Sequence, residues 1–263
     1  MANGRRIGPW CVILALLVAA PLVAQDGGLR PEDTEVWEPV PEVVTPPAYT
    51  GPTAPPSDAV VLFDGRGLGE WINVRDRAPA GWSVGDGILT VDKGIGDIET
   101  RRSFGDYQLH LEWRVPEHIT GEGQARGNSG LFLAWDAERR AGYELQILDG
   151  YGNETYVNGM VGSLYKQSIP RVNAARPPGA WQTYDVVWTA PRFAQDGSLA
   201  APARVTVLYN GVLVQNDVAL EGETRFTGLP RYVAHGDAPI MLQAHGDPSP
   251  PISFRNIWIR ELR

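Results

Sequence analysis

The feature that most limits the fold of this 263-residue chain is a missing one. No run of ten or more residues carries the 3.6-residue apolar period of a helix packed on a core. Short apolar stretches bounded by turn residues stand in its place. Residues 59–63 are stopped by Asp64-Gly65. Residues 82–84 and 88–91 flank Gly85-Asp86-Gly87, a hairpin signal. Residues 107–115 place Leu109, Leu111, Trp113 and Val115 on one face and His110, Glu112 and Arg114 on the other. His110 and His118 are therefore expected at the surface. Further strands are expected at 128–135, 143–148, 160–165, 183–189, 203–209, 212–215, 239–245 and 252–262, the hairpin signal Asn210-Gly211 joining two of them. No internal repeat of propeller or solenoid length occurs. The pattern predicts an all-β sandwich of antiparallel strands.

One strand carries chemistry. In Tyr143-Glu144-Leu145-Gln146-Ile147, the apolar residues share one face and Glu144 and Gln146 the other, and Asp149 follows where the strand meets Gly150. Two carboxylates and an amide on one strand of a tryptophan-rich chain suit a carbohydrate site, and equally a half-solvated strand with surface acids.

The chain divides at residues 24 and 57. Arg5 and Arg6 precede the apolar run 11–20, and Leu22-Val23-Ala24 ends in a small residue. Residues 1–24 are expected to be a secretory signal peptide, which makes the mature protein periplasmic or extracellular. Pro31, Pro39, Pro41, Pro46, Pro47, Pro52, Pro55 and Pro56 make residues 25–57 an extended linker, and residues 58–263 the folded domain. The single cysteine, Cys11, lies in the signal segment, so disulfides, zinc–thiolate sites and cysteine nucleophiles are not expected in the mature chain. Losing Arg5 and Arg6 takes the net charge from −8 to −10. That acidity argues against nucleic acid or anionic membrane as partners and is compatible with a small neutral carbohydrate.

The remaining motifs resemble a bacterial family described as a 3-keto-disaccharide hydrolase or 3-keto-glucoside 1,2-lyase/hydratase domain. The resemblance starts at Leu62-Phe63-Asp64-Gly65 with Trp71, and continues through Trp82-x-Val84-x-Asp86-Gly87 and Gly127-Asn128-Ser129-Gly130. It then takes in residues 142–149, Gly162-x-Leu164-Tyr165, Pro178-Gly179-x-Trp181, Asn210-Gly211, Leu242-Gln243-x-His245-Gly246 and Phe254-Arg255-Asn256-Ile257. It implies a concanavalin-A-like jelly roll of two curved antiparallel sheets with a sugar cleft on the concave face. Ala134 and Ala244 stand where that family is usually polar, which leaves a non-catalytic carbohydrate-binding module as the alternative. The strand at 143 also resembles the Glu-x-Asp-x-x-Glu strand of laminarinase-type glycosidases, but Gln146 and Asp149 replace its second and third acids. A retaining glycosidase needs two carboxyl groups about 5–5.5 Å apart, so that mechanism is disfavoured.

A 3-keto-glucoside makes lower demands. Its ketone acidifies the hydrogen on C2, so one base can form an enolate that expels the C1 oxygen. Glu144 is the expected base and His245 the acid or enolate partner. Asn128, Gln146, Asp149, Tyr165, Gln243 and Asn256 are expected to bind substrate. Asp136, Asp149, Asn153 and Glu154 are oxygen donors close in sequence, a composition calcium accepts. No EF-hand spacing accompanies them, and no metal site or cofactor is assigned. By alternation Trp135 shares a face with Leu131 and Leu133, and only a bend would free it to stack on a sugar.

Overall fold

The structure, a computed structural model, describes residues 28–262 together with Met1. The signal peptide expected at 1–24 thus lies, apart from Met1, outside the described residues. In chain order the strands are β1 (Glu42–Val43), β2 (Val60–Phe63), β3 (Trp71–Asn73), β4 (Ser83–Gly85), β5 (Ile88–Thr90) and β6 (Ile98–Thr100). There follow β7 (Tyr107–Arg114), β8 (Ser129–Asp136), β9 (Ala141–Ile147), β10 (Val172–Asn173), β11 (Gln182–Thr189) and β12 (Arg192–Phe193). The last are β13 (Leu199–Ala201), β14 (Arg204–Tyr209), β15 (Val212–Ala219), β16 (Met241–Leu242) and β17 (Ser253–Glu261). Only short 3-10 turns accompany them among the described residues, and no helix there is long and apolar enough to cross a membrane.

Two sheets face each other. The larger runs β15-β14-β11-β7-β17-β5-β4, with β2 also paired to β17; the smaller runs β3-β6-β16-β8-β9. Every pairing within these two sheets is antiparallel. This is the expected jelly-roll sandwich. Between the sheets Leu109, Leu111 and Trp113 from β7 and Val205 and Val207 from β14 meet Leu131 and Leu133 from β8. Tyr143, Leu145 and Ile147 from β9 and Leu242 from β16 complete that layer. Each contributes alternate residues, as the pleat requires. Asp86 (φ 52°) and Gly87 (φ 76°) make the tight turn of the predicted hairpin between β4 and β5.

Three expectations need correction. Residues 160–165 are not a regular strand. They run beside β9 as a loop, with Ser163 accepting from the Gln146 N–H (3.0 Å) and the Tyr165 N–H donating to Glu144 (3.0 Å). Gly162 (φ 79°) and Lys166 (φ 60°) break the extended path. The strand expected at 239–245 shortens to Met241–Leu242, because the Ala244 N–H turns aside to the Asp97 carboxylate (2.8 Å). His110 is not at the surface. Its ring stacks on Trp258 (5.2 Å between centroids) and its Nδ1 meets Asp185 Oδ1 at 2.7 Å.

The proline-rich segment is extended, and it lies against the domain as a strap. Its β1 pairs in parallel with β10. The Tyr49 hydroxyl donates to Glu112 (2.8 Å), and the Thr53 carbonyl accepts from Asn256 Nδ2 (2.9 Å). The strap thus covers the outer side of the larger sheet, which explains why both faces of β7 are buried.

Candidate functional site

The outward face of the smaller sheet holds a cavity of about 680 Å³, within the roughly 300–1,000 Å³ typical of small-molecule sites. Its floor is built by alternation: the even residues Glu144 and Gln146 of β9 face it, while their odd neighbours fill the core. Phe132 from β8 and Met241 from β16 continue the floor. Gln243, His245 and Asp97 flank it on the β16 and β6 side, and Tyr165, Tyr156, Thr224, Phe226 and Glu35 beyond β9. Gln124 and Asn128 lie near the start of β8, Trp135 and Arg140 near the turn between β8 and β9.

Glu144 dominates the electrostatics. It is 8% exposed, and among the described residues no side chain donates to its carboxylate. Burial, reinforced by the nearby Asp97 charge, pushes its pKa up to about 8. Burial also raises Asp97, opposed by the Ala244 N–H and by Arg140, His245 and Arg75. Gly130 makes room for the Glu144 carboxylate: a Cβ there would stand 2.5 Å from Glu144 Oε1 and 3.0 Å from Phe132 Cε2. Gly130→Ala should therefore push the carboxylate aside and lower kcat by about 10–100-fold, with steady-state kinetics as the measurement. A drop in melting temperature large enough to account for the loss would show that the glycine serves packing instead.

The amides form a fixed array. Gln146 Nε2 donates to Gln124 Oε1 and Asn128 Oδ1 (3.2 Å each), and Asn128 Nδ2 donates to the Gln124 carbonyl (2.8 Å). The side-chain Oε1 atoms of Gln146 and Gln243 are buried without a partner among the described residues, two acceptors suited to substrate hydroxyls. Across the floor the Tyr156 and Tyr165 hydroxyls are 2.6 Å apart. Burial, partly offset by the bond to Tyr165, pushes Tyr156 up to about 12, and raises Tyr165 further. The Asp247 carboxylate (3.1 Å) and backbone N–H (3.2 Å) both lie beside His245 Nδ1, which donates to the first or accepts from the second according to tautomer, and Nε2 is the nitrogen available to a ligand.

Six of the eight expected site residues thus share one cavity: Glu144, His245, Asn128, Gln146, Tyr165 and Gln243. Asp149 and Asn256 do not line it. Asp149 is five residues past Glu144, an odd offset, beyond the end of β9. It is buried against Arg126, with Oδ2 2.7 Å from Nε, and its Oδ1 accepts from the Tyr151 N–H. Asn256 has φ 47° at a bulge in β17, which turns its amide to Thr53 and Glu112 on the back of the other sheet. Of the four oxygen donors considered for calcium, Asp136, Asp149 and Asn153 are engaged within the protein, and Glu154 is exposed. Asp136 pairs with Arg139, and the Asn153 amide bonds Gly123 and Asp149 main chain. The described residues hold no group of three or more His, Cys, Asp or Glu arranged for a metal ion.

Trp135 is freed by the bend. The pairing of β8 with β9 slips between Phe132 and Trp135, so both rings lie together on the cavity side, 5.0 Å apart. Glu35, Asp97, Gln124, Arg140, Tyr156 and Phe226 were not singled out in the sequence. They come from loops and from the strap, where no side-chain period points to a shared face.

Comparison with known proteins places the chain in a family. The family model for a 3-keto-alpha-glucoside-1,2-lyase-like domain matches residues 58–260. A candidate glycosyl hydrolase of Parabacteroides distasonis ATCC 8503, solved by crystallography, is 53% identical. The match covers 90% of this chain and 98% of that one, with a TM-score of 0.76. A second candidate glycosyl hydrolase from the same organism is 22% identical over 78% of this chain and 94% of its own, with a TM-score of 0.57, a likeness of fold alone. No protein of curated function matches. On the span of the family match, the chain belongs to the 3-keto-alpha-glucoside-1,2-lyase-like family.

Proposed function

We propose that this carbohydrate-active protein is an exported enzyme that cleaves 3-keto-glucosides by elimination across C1 and C2. The observation that carries this reading is the buried carboxylate of Glu144, to which no side chain among the described residues donates, facing a cavity furnished with amides, hydroxyls, two further carboxylates and one histidine. Ionised Glu144 removes the C2 proton, and the C2–H electrons form the enolate of the C3 ketone. The enolate then expels the C1 oxygen, leaving a C1–C2 double bond. His245 Nε2 hydrogen-bonds the enolate oxygen or protonates the departing alkoxide. Water added back across the double bond would complete a net hydrolysis.

A pKa of about 8 suits the step. A more basic carboxylate abstracts a weakly acidic C–H proton more readily, at the cost of an ionised fraction of about a tenth at pH 7. The two-carboxylate alternative has less support, because Asp149 does not reach the cavity.

The test follows aglycone release from a 3-keto-glucoside, with the same reaction in D2O read for deuterium at C2. Release with no such incorporation and no unsaturated sugar would reject the elimination. Sugar binding with neither release nor exchange would identify a carbohydrate-binding module instead. His245→Ala is expected to lower kcat by about 10²-fold, the low end of general acid–base contributions, and unchanged kcat would remove His245 from the chemistry. Export is checked by N-terminal sequencing of the protein recovered outside the cytoplasm, which should begin near Gln25.

A further inference from the structure

The family match begins at residue 58, yet one wall of the cavity is contributed by residue 35. Glu35 follows the 3-10 turn Pro31–Thr34 in the proline-rich strap, and its side chain makes no hydrogen bond or ion pair among the described residues. The strap is nonetheless held there firmly. The Val36 N–H donates to Asn158 Oδ1 (2.9 Å), and Asn158 Nδ2 donates to the Thr34 carbonyl (3.0 Å). The Val157 N–H donates to the Val36 carbonyl (2.7 Å), and Trp37 packs edge-on to Tyr156. The amide of buried Asn158 thus grips the main chain on both sides of Glu35.

A second segment is tied to the first. Lys166 Nζ donates to the Pro31 carbonyl (2.7 Å) and to the Phe226 carbonyl (2.8 Å), bridging the strap and the loop that carries Phe226. Phe226 lines the cavity while 65% of its surface is exposed, so its ring is open to a ligand. Glu35, Phe226 and Tyr156 therefore stand together on the side of Glu144 beyond β9. His245, Gln243 and Asp97 stand on the opposite side, across β8 and β16. Two strand spacings, roughly 10 Å, separate β9 from β16, so the cavity has room on both sides of Glu144 for a ring.

We propose that Glu35 and Phe226 form a subsite for the second ring of a 3-keto-disaccharide, which makes Glu35 a specificity-determining residue supplied from outside the family domain. The carboxylate accepts hydroxyl hydrogens of that ring and the phenyl face covers its C–H side. This deepens the reading of the site as one for 3-keto-glycosides and rests on it. The Parabacteroides relative leaves about 26 residues of this chain unmatched, fewer than the 57 that precede the family domain. Its similarity therefore extends into the strap.

The experiment compares a 3-keto-disaccharide with methyl 3-keto-glucoside, which lacks the second ring. Binding is measured by calorimetry on the full chain carrying Glu144→Gln, so that turnover does not interfere. Adding Glu35→Gln, which loses a charge-assisted hydrogen bond, or Phe226→Ala, which uncovers the apolar side of the ring, should weaken the disaccharide by about 10-fold or more and leave the methyl glycoside within twofold. Asn158→Ala, which frees the strap without touching substrate, should reproduce that selective loss. Equal weakening of both ligands, no weakening of either, or no binding of the disaccharide at all would overturn the subsite. If the selective loss is seen while the wild-type protein releases no aglycone, the subsite stands and the elimination fails.

Discussion

Glu144→Gln is expected to lower kcat/KM by about 10²–10⁴-fold, the range that a positioned general base supplies, and to make the protein more stable in alkali. Both effects have one cause. Burial and the Asp97 charge lift the folded-state pKa to about 8, above the ordinary 4.5. The protonated form therefore stabilises the fold fully below pH 4.5, and that contribution is lost as the pH rises through 8. Glutamine keeps the shape and never ionises. Its melting curve should lie above wild type at pH 9, by several degrees at about 2–4 °C per kcal/mol for a chain of this size, and converge with it towards pH 4.5. In the wild type, kcat/KM should rise about tenfold per pH unit and level off near pH 8. A variant that keeps its activity, or that melts below wild type at pH 9, would show that Glu144 is not the buried base described.

The second large effect lies on the far side of the molecule. Glu112→Ala should cost about 3–5 kcal/mol, the usual penalty for leaving a buried charge without its partner. Glu112 is fully buried and accepts from Tyr49 (2.8 Å), Arg255 (2.7 Å) and Asn256 (2.9 Å), with His110 Nε2 3.6 Å away. Arg255 in turn lies 3.9 Å over the Trp181 ring. Burial opposes ionisation of Glu112, but the nearby His110 ring and hydrogen bonds from Asn256, Arg255 and Tyr49 overcome it and hold its pKa near 2. Its contribution is present above pH 4.5 and lost as the pH falls through 2. For His110 burial lowers the pKa, and Asp185 and Glu112 outweigh it, raising the group to about 9. That contribution is present below pH 6.5 and lost as the pH rises through 9. Chemical denaturation across pH, wild type against Glu112→Ala, reads both limbs. A variant within 1 kcal/mol of wild type at pH 6 would show that the cluster only fills space.

The sequence made β9 legible because a strand leaves no freedom in which face a residue takes. Glu144 and Gln146 had to oppose Tyr143, Leu145 and Ile147, and they do. Asp149 stands at an odd offset from Glu144, which the same rule assigns to the core side, and it does not line the cavity. Asn256 and Trp135 were harder, since each sits at a bulge, where one extra residue reverses the side that alternation assigns. His110 followed alternation correctly, but the face it shares with Glu112 is not solvated, because the strap lies over it. Nothing in a run of prolines announces which sheet it will cover. Asp97 and Glu35 were illegible for a related reason: they reach the cavity from segments whose only common property is their position in the finished fold.

The strap also sets an order of events. Synthesis makes it before any of its partners, since residues 34–36 wait for Asn158, β1 waits for β10, and Tyr49 and Thr53 wait for Arg255 and Asn256. Contacts so distant along the chain carry a heavy closure cost and form late in folding. The strap should thus dock onto a sandwich already assembled and be the first part to come away. Its amides, those of Val36 and Val44 among them, should exchange hydrogen faster than those of β7 or β17. The wall that Glu35 gives the cavity would then open and close with the strap while Glu144 on β9 stays in place.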